Sequence, residues 1–222
     1  MRPPLAPWAA LWLAALVGFI VMAAFAAAHD TFPADIWIAH RWQDIDSGFL
    51  RAVLDRTATF ADLPLLAVAI FAFGLIFFLL AGPVPSLLVL AAVPVARPFN
   101  IAVKAIVDRP RPSASIVEVH GHPGDASFPS GHSEAAIALY GMVFYLATVH
   151  VRDVRIRLAL QAVSLWVIVL TTAQRVYSGE HWPSDVAGGL LLGAIAIAPL
   201  ILAHRLWLSR RSPATDRPAV RS

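Results

Sequence analysis

Six long apolar segments constrain the fold of this chain more than any other feature, because a helix needs about 20 apolar residues to cross a bilayer. The segments are Trp8–Ala28, Leu63–Ala81, Val84–Val107, Gly131–Val149, Leu158–Thr172 and Pro183–His204. The third contains Pro94, Arg97 and Pro98, so we expect it to be kinked. The fifth is short and is expected to continue to about Arg175. Only 14% of the 222 residues are charged, against about 25% in soluble domains. The sequence therefore predicts an all-α protein with six transmembrane helices.

A single membrane domain, residues 1–208, contains all six segments, and its size suits one domain rather than two. Residues 209–222 are rich in Pro and Arg and are predicted to form a disordered cytoplasmic tail. The first segment resembles a secretory signal, because Arg2 precedes it and small residues, 26–28, end it. Its apolar run is longer than the usual stretch of about 7–15 residues in such signals. We therefore expect an uncleaved first helix.

The positions of the basic residues predict the orientation of the helices, since cytoplasmic loops carry an excess of Lys and Arg. With a cytoplasmic N-terminus, the inner segments carry Arg2, Arg152, Arg155, Arg157, Arg205, Arg210, Arg211, Arg217 and Arg221. The outer segments carry Arg41, Arg51, Arg56, Lys104, Arg109, Arg111 and Arg175. Four of these outer residues fall in the candidate site described below and are set aside. The remainder place both termini in the cytoplasm and the site on the outer face.

A polar stretch, Asp30–Asp62, separates the first two segments on the outer side. Within it, Phe49, Leu50, Val53, Leu54 and Thr57 repeat at helical spacing. This pattern predicts a short helix lying in the membrane interface. Trp37 and Trp42 are expected to lie at the level of the lipid headgroups.

Three cations are predicted to converge at one membrane depth: Lys104, Arg111 and Arg175. Together they would repel one another near the membrane unless they bind an anion, and a phosphate with several charged oxygens fits them. Arginine supplies paired donors, whereas lysine supplies a compact point charge. Lys104 is the only lysine among the 17 Lys and Arg residues. The basic residues form no soluble basic face, so the net charge of +3 indicates a lipid partner rather than nucleic acid.

Two histidines are predicted to flank this phosphate site. His132 follows Ser130 and Gly131 at the start of the fourth helix, where free backbone N–H groups and the helix dipole favour an anion. Gly131 would let the backbone approach the phosphate closely. His181 precedes the sixth helix, and Asp185 lies one turn further on, where it can accept a hydrogen bond from the ring. That bond would orient His181 and stabilise its positive charge.

These residues carry a resemblance to the type 2 phosphatidic acid phosphatase superfamily. Its three-part signature is K-x6-R-P, then P-S-G-H, then S-R-x5-H-x3-D. The matching blocks are Lys104 to Pro112, Pro129 to His132, and Arg175 to Asp185. The match spans about half of the chain and keeps the order and internal spacing of the signature. In one departure, Gln174 stands where the family has serine before the arginine, so that residue's contact with phosphate is in question.

The resemblance implies a membrane phosphatase with a histidine nucleophile. His181 would attack phosphorus to form a phosphohistidine, with Asp185 orienting it. His132 would protonate the leaving oxygen and later activate water. The phosphate oxygens would be held by Lys104, Arg111, Ser130, Gly131 and Arg175. We expect no cofactor and no metal, because these cations would take the place of magnesium.

Three further residues are predicted to support the site. Arg97 and Asn100 share a helix face with Lys104 and would form a polar stripe descending into the bilayer. We expect Arg97 to support the site from below, paired with Glu134; a structural ion pair or a snorkelling arginine is the alternative. Gln174 is the third residue, as a donor in place of the usual serine.

The outer loop before the fourth helix also carries Glu118, His120, His122 and Asp125. Metal binding by these residues is conceivable, but the loop contains Gly and Pro and shows no fixed ligand spacing. We interpret it as a solvated loop that faces lipid headgroups.

The resulting prediction is a lipid phosphate or diphosphate hydrolase of a bacterial inner membrane, facing the periplasm or the exterior. A short six-helix chain resembles the bacterial members that recycle undecaprenyl diphosphate, so that lipid is the first substrate expected. Phosphatidylglycerol phosphate and phosphatidic acid are alternatives. A lipid phosphotransferase would use the same phosphohistidine. A transporter would have inverted or matching halves, and the sequence shows no internal repeat; the oligomeric state stays open.

Overall fold

The computed structural model describes residues 5–45, 47–121 and 124–211. It contains eight α-helices and a 3-10 turn at Thr59–Ala61. The helices are α1 (Leu5–Ala28), α2 (Asp35–Gln43), α3 (Gly48–Ala58), α4 (Leu65–Ala81), α5 (Pro83–Val107), α6 (Gly131–His150), α7 (Val154–Tyr177) and α8 (Pro183–Arg211). The predicted all-α class is confirmed. Helix α8 continues three residues beyond the predicted domain end at 208, and residues 212–222 of the predicted tail lie outside the described ranges.

Four helices of the described part are long and apolar enough to cross a membrane: α1, α5, α7 and α8. A fifth span arises if α3, its 3-10 turn and α4 count as one segment, which bends by 65°. The remaining predicted span, α6, lies inside the bundle, where twelve of its 20 residues are buried. A helix surrounded by protein does not need an apolar surface toward lipid. The count of six spans stays a prediction.

Helix α6 is the centre of the bundle and packs against α4, α5, α7 and α8. Small residues on its buried face, among them Ala135, Ala136 and Ala138, let the neighbouring helices approach closely. At Gly189 of α8, a Cβ atom would collide with the carbonyl oxygen of Ser130, just before α6. This contact holds the N-terminus of α8 beside the N-terminus of α6.

Helix α1 docks on α8 at a proline. Pro199 has no N–H group, so the carbonyl of Ile195, four residues earlier, lacks its usual helical donor. The indole Nε1 of Trp12 donates to that carbonyl at 3.0 Å. Further along α1, Phe19 stacks on Phe128 with ring centroids 5.9 Å apart. A side chain of the first helix therefore satisfies a backbone group in the last.

The helix ends that carry the motif blocks all lie at the same end of the bundle. Helices α5 and α7 finish there, and α6 and α8 begin there. The helix predicted from the pattern at 49–57 is present as α3, which packs on α7. Helix α2 precedes it, and Trp42 of α2 donates to the carbonyl of Ala173 at 2.9 Å, so this tryptophan packs into the protein. The interfacial position of α2 and α3 stays a prediction.

Candidate active site

His181 lies immediately before α8 and is almost completely buried. Its Nδ1 atom is 3.6 Å from Asp185 Oδ2, and its Nε2 atom is 3.2 Å from Arg111 Nη1. A guanidinium only donates hydrogen bonds, so Nε2 must present its lone pair and Nδ1 must carry the proton. Burial lowers the pKa of His181 to about 4, against the neighbouring Asp185 carboxylate, which raises it. The neutral ring therefore offers a nucleophilic nitrogen at physiological pH.

Asp185 is held by three donors. Its Oδ2 atom accepts from the Trp182 backbone N–H at 2.8 Å and from the Ser127 hydroxyl. Its Oδ1 atom accepts from Arg109 Nη1 at 2.5 Å. Asp185 stands in the first turn of α8, and its side chain accepts from the backbone N–H of Trp182, the residue just before the helix, as an acidic residue does in a capping box. The carboxylate is thereby fixed beside His181 Nδ1, although the separation of 3.6 Å is longer than the hydrogen bond that the spacing predicts.

Arg109 is a fully buried cation at the centre of a second network. Besides Asp185, it donates to Asp35 Oδ2 at 2.8 Å, to the Ser184 hydroxyl at 2.8 Å and to the Asp30 carbonyl at 3.1 Å. Asp35 also accepts from the backbone N–H and the hydroxyl of Ser184. Sequence reasoning assigned Arg109 to the site without a role and missed Asp35, because no local spacing links α2 to the motif blocks.

The three cations among the predicted phosphate ligands converge, and each already has a partner within the chain. Lys104 Nζ lies 2.9 Å from Asp125 Oδ2 and also donates to the Ala126 carbonyl. Arg111 Nη2 lies 2.6 Å from Asp125 Oδ1. Arg175 Nη1 donates to Glu180 Oε2 at 2.9 Å. Carboxylate oxygens therefore occupy positions on these cations that a phosphate would need.

Asp125 corrects the interpretation of its loop as simply solvated. Burial alone would raise the pKa of this carboxyl, but the hydrogen bonds and charges of Lys104 and Arg111 hold it well below its usual range. Of the other loop residues, His120 is exposed and His122 lies outside the described ranges. Among the described residues, no group of three or more His, Asp and Glu side chains could hold a metal ion.

His132 lies across the site from His181 with an aspartate of its own. Its Nε2 atom is 2.5 Å from Asp62 Oδ1, and its Nδ1 atom is 3.5 Å from Arg175 Nη1. A carboxylate can only accept, so His132 Nε2 carries a proton and donates it to Asp62. The hydrogen bond from His132 lowers the pKa of Asp62 below its usual value. Asp62 was not predicted; its one sequence signal is its place just before the second apolar segment.

Ser130 and Gly131 begin α6 as predicted, with roles that the structure makes more specific. The Ser130 side chain is buried and caps the helix, accepting from the Ser133 backbone N–H at 3.5 Å and from the Ser133 hydroxyl at 3.0 Å. Gly131 makes room for Arg97, because a Cβ atom there would lie 2.5 Å from Arg97 Nη1. Arg97 Nη1 is also 3.7 Å from Glu134 Oε2, so the predicted pairing is present.

The other two supporting residues lie further from the cations. Asn100 is buried and donates to the carbonyl of Pro129 at 3.4 Å, next to the turn that presents Ser130 and Gly131. Gln174 is also buried, and its amide donates to Asp55 Oδ1 on α3 at 3.0 Å. The side-chain amide of Gln174 therefore donates to α3 rather than into the site formed by the three cations.

A cavity of about 520 Å³ joins the charged groups to an apolar passage. Its polar end is lined by Lys104, Arg111, Asp125, His132, Glu180 and His181. Its apolar end is lined by Leu63, Leu66, Ala67, Ile70, Val93 and Ala135, from α4, α5, α6 and the residues just before α4. Val93 lies eleven residues before Lys104, about 16 Å along α5. The site can therefore take a charged group at one end and a long apolar chain at the other.

These features define a multi-pass helical membrane protein with a buried site of two histidines and three cations at one end of the bundle. The family model described as the PAP2 superfamily matches residues 82–209, from the start of α5 nearly to the end of α8. The chain belongs to the PAP2 superfamily.

Two named relatives match part of the chain. One is Phosphatidylglycerophosphatase B of Bacillus subtilis (strain 168), 34% identical over 112 residues, which are 50% of this chain and 53% of that protein. The other is Undecaprenyl-diphosphatase of Sulfolobus acidocaldarius, 33% identical over 103 residues, which are 44% of this chain and 38% of that protein. The chain thus spans about half or less of the length of the curated relatives it matches.

Two solved structures share the fold. The transmembrane PAP2-type phosphatidylglycerolphosphate phosphatase from Bacillus subtilis superimposes with a TM-score of 0.73 at 23% identity, covering 92% of this chain and 98% of that one. Aquifex aeolicus LpxE superimposes with a TM-score of 0.59 at 22% identity, covering 78% of this chain and 98% of that one. The likeness establishes the membrane-embedded helical fold.

Proposed function

We propose that this protein is a membrane lipid phosphatase that removes the terminal phosphate from a lipid phosphate or diphosphate. The observation that carries the proposal is the cavity, which holds both histidines and two of the cations, Lys104 and Arg111, at one end of an apolar passage. A water-soluble phosphate ester would not need that passage. Leu63, at its edge, is 79% exposed and would contact the lipid chain as it enters.

The reaction begins with attack of His181 Nε2 on phosphorus. The bond between phosphorus and the leaving oxygen breaks as the new N–P bond forms, and the imidazolium form of His132 donates a proton to that oxygen and becomes neutral imidazole. Asp185 stabilises the positive charge that develops on the His181 ring. His132 then accepts a proton from water, which cleaves the N–P bond and releases inorganic phosphate. Lys104, Arg111 and Arg175 hold the other phosphate oxygens during both steps.

Undecaprenyl diphosphate is the substrate to test first, followed by phosphatidylglycerol phosphate and phosphatidic acid. The names of the two relatives support the first two of these lipids. The apolar lining of the passage agrees with a lipid chain of either the prenyl or the acyl class.

In the proposed topology, six helices span a bacterial inner membrane. Both termini lie in the cytoplasm, and the site faces the outer side. Helices α4 and α6, with 17 and 20 residues, are about 26 and 30 Å long, which matches the hydrocarbon core. Arg152 lies between α6 and α7, and Arg155 and Arg157 lie in the first turn of α7, at the end of the bundle opposite the site, as the positive-inside rule requires.

The proposal is tested by measuring inorganic phosphate released by purified protein from a panel of lipids in mixed micelles. We expect release from undecaprenyl diphosphate, phosphatidylglycerol phosphate or phosphatidic acid and none from phosphatidylglycerol, a phosphodiester. Transfer of labelled phosphate to a second lipid without free phosphate would identify a phosphotransferase instead. Uptake of labelled substrate into liposomes without any phosphate release would support a transporter.

Activity is expected to survive chelation, because cationic side chains hold the phosphate. The rate of phosphate release should change by less than about twofold after incubation with EDTA followed by removal of the chelator. A metal-dependent phosphatase assayed in the same buffer is the control. Loss of activity that only added divalent ions restore would contradict this prediction.

A further inference from the structure

We propose that Asp125 is an intramolecular competitor of phosphate, a carboxylate that occupies the phosphate-binding cations between turnovers and weakens the binding of the product. The proposal rests on the proposed function, because it concerns the same site. Asp125, which lies outside the three motif blocks, thereby has a role at the site.

The geometry at Asp125 imitates a bridging phosphate. Its two oxygens bind different cations, Oδ2 to Lys104 at 2.9 Å and Oδ1 to Arg111 at 2.6 Å. The backbone of the same residue takes part, since Arg111 Nε donates to the Asp125 carbonyl at 2.9 Å. Both cations also line the cavity beside His181, where phosphorus must lie for attack. Asp125 and a phosphate would therefore compete for the same donors.

The charges show why both cannot remain. Three cations lie among three carboxylates: Lys104 and Arg111 pair with Asp125, Arg175 pairs with Glu180, and Asp62 pairs with His132 beside Arg175. The free site is thus close to neutral, and the charge of an added phosphate dianion would be left uncompensated in a partly buried cavity. Removal of one carboxylate restores an excess of positive charge for the incoming anion.

Asp125 is the carboxylate best placed to leave. Its side chain is 56% exposed, whereas that of Glu180 is 16% exposed. Asp125 is on the loop between α5 and α6, so rotation of its side chain toward water requires no movement of a helix. When phosphate leaves, the carboxylate returns to Lys104 and Arg111. By mass action, such a competitor raises the apparent dissociation constant of phosphate and favours release of the product.

The test compares Asp125→Asn with the wild type in two measurements: calorimetric binding of inorganic phosphate, and inhibition of lipid phosphate hydrolysis by phosphate. We expect Asp125→Asn to bind phosphate about 10–100-fold more tightly, because a charge-assisted competitor has been removed. The inhibition constant of phosphate and the KM for the lipid phosphate should both fall. Asp125→Glu, which retains the carboxylate, should stay closer to the wild type.

Asp108→Asn is the matched control. Asp108 is an exposed aspartate four residues after Lys104, in a left-handed conformation that asparagine also adopts. It should leave phosphate binding unchanged. Unchanged or weaker phosphate binding by a folded Asp125→Asn protein would overturn the proposal. If the wild type hydrolyses no lipid on the panel, the proposed function fails, but calorimetry with phosphate still decides the role of Asp125.

Discussion

Replacement of His181 by alanine is expected to abolish phosphate release, with a loss of roughly 10⁴–10⁶-fold in kcat, as for removal of other covalent nucleophiles. The imidazole Nε2 is the nucleophilic atom that the hydrogen-bond geometry directs to the cavity, beside Arg111. Water in the space left by the ring would lack both the nucleophilicity of imidazole and the support of Asp185. Steady-state phosphate release from the best lipid of the panel measures the effect.

The control is His120→Ala, which removes an exposed histidine from the neighbouring loop and should retain near-normal activity. A second measurement follows the intermediate directly. Wild-type protein quenched during turnover of a labelled lipid phosphate should carry an acid-labile, alkali-stable phosphoryl group, and His181→Ala should carry none. Phosphate release by His181→Ala within about tenfold of the wild-type rate would refute the mechanism.

The sequence predicts the helices well because apolar runs and end signals are local. Differences arise where polar residues extend a helix beyond its apolar segment. Helix α7 begins at Val154 rather than at Leu158, because Asp153 caps it by accepting from the backbone N–H groups of Arg155 and Ile156. At its other end the helix extends to Tyr177, close to the expected end at about Arg175, so that Arg175 stands in its last turn. Helix α2 was missed because its nine residues carry no sustained apolar period.

In the candidate site as well, residues within one motif block could be predicted from the sequence, whereas contacts between distant segments could not. Lys104, His132 and His181 are recognisable from spacing, because each motif block is continuous in sequence. The carboxylate partners of Lys104 and His132 are not, since Asp125 and Asp62 approach only when loops from different helices meet. The resemblance also suggested that Gln174 donates to the phosphate in place of the usual serine, whereas packing of α3 on α7 brings Asp55 to it instead.

The second large effect is expected from Arg109→Ala, which should destabilise the protein by about 3–5 kcal/mol, the usual cost of breaking a buried ion pair. Arg109 is fully buried and contacts two carboxylates, those of Asp35 and Asp185, which both have side chains at most 2% exposed. Removal of the guanidinium leaves both charges without their cation in a site that water does not reach. The cost arises from these unpaired charges rather than from a large net contribution of the intact network.

Thermal unfolding in detergent measures this loss, with Arg152→Ala as the control, because Arg152 is an exposed arginine at the other end of the bundle. Asp35→Asn should lower the melting temperature less, since Arg109 keeps Asp185 and the amide keeps an acceptor for Ser184. Arg109→Lys should recover part of the stability, because an ammonium keeps the charge but cannot reach both carboxylates with the same fork.

Where the Arg109→Ala protein stays folded below its melting point, kcat should fall more than KM rises, because Asp185 is displaced from His181 while Lys104, Arg111 and Arg175 still bind phosphate. A melting temperature and kcat for Arg109→Ala equal to those of Arg152→Ala would show that the buried network neither stabilises the fold nor positions Asp185.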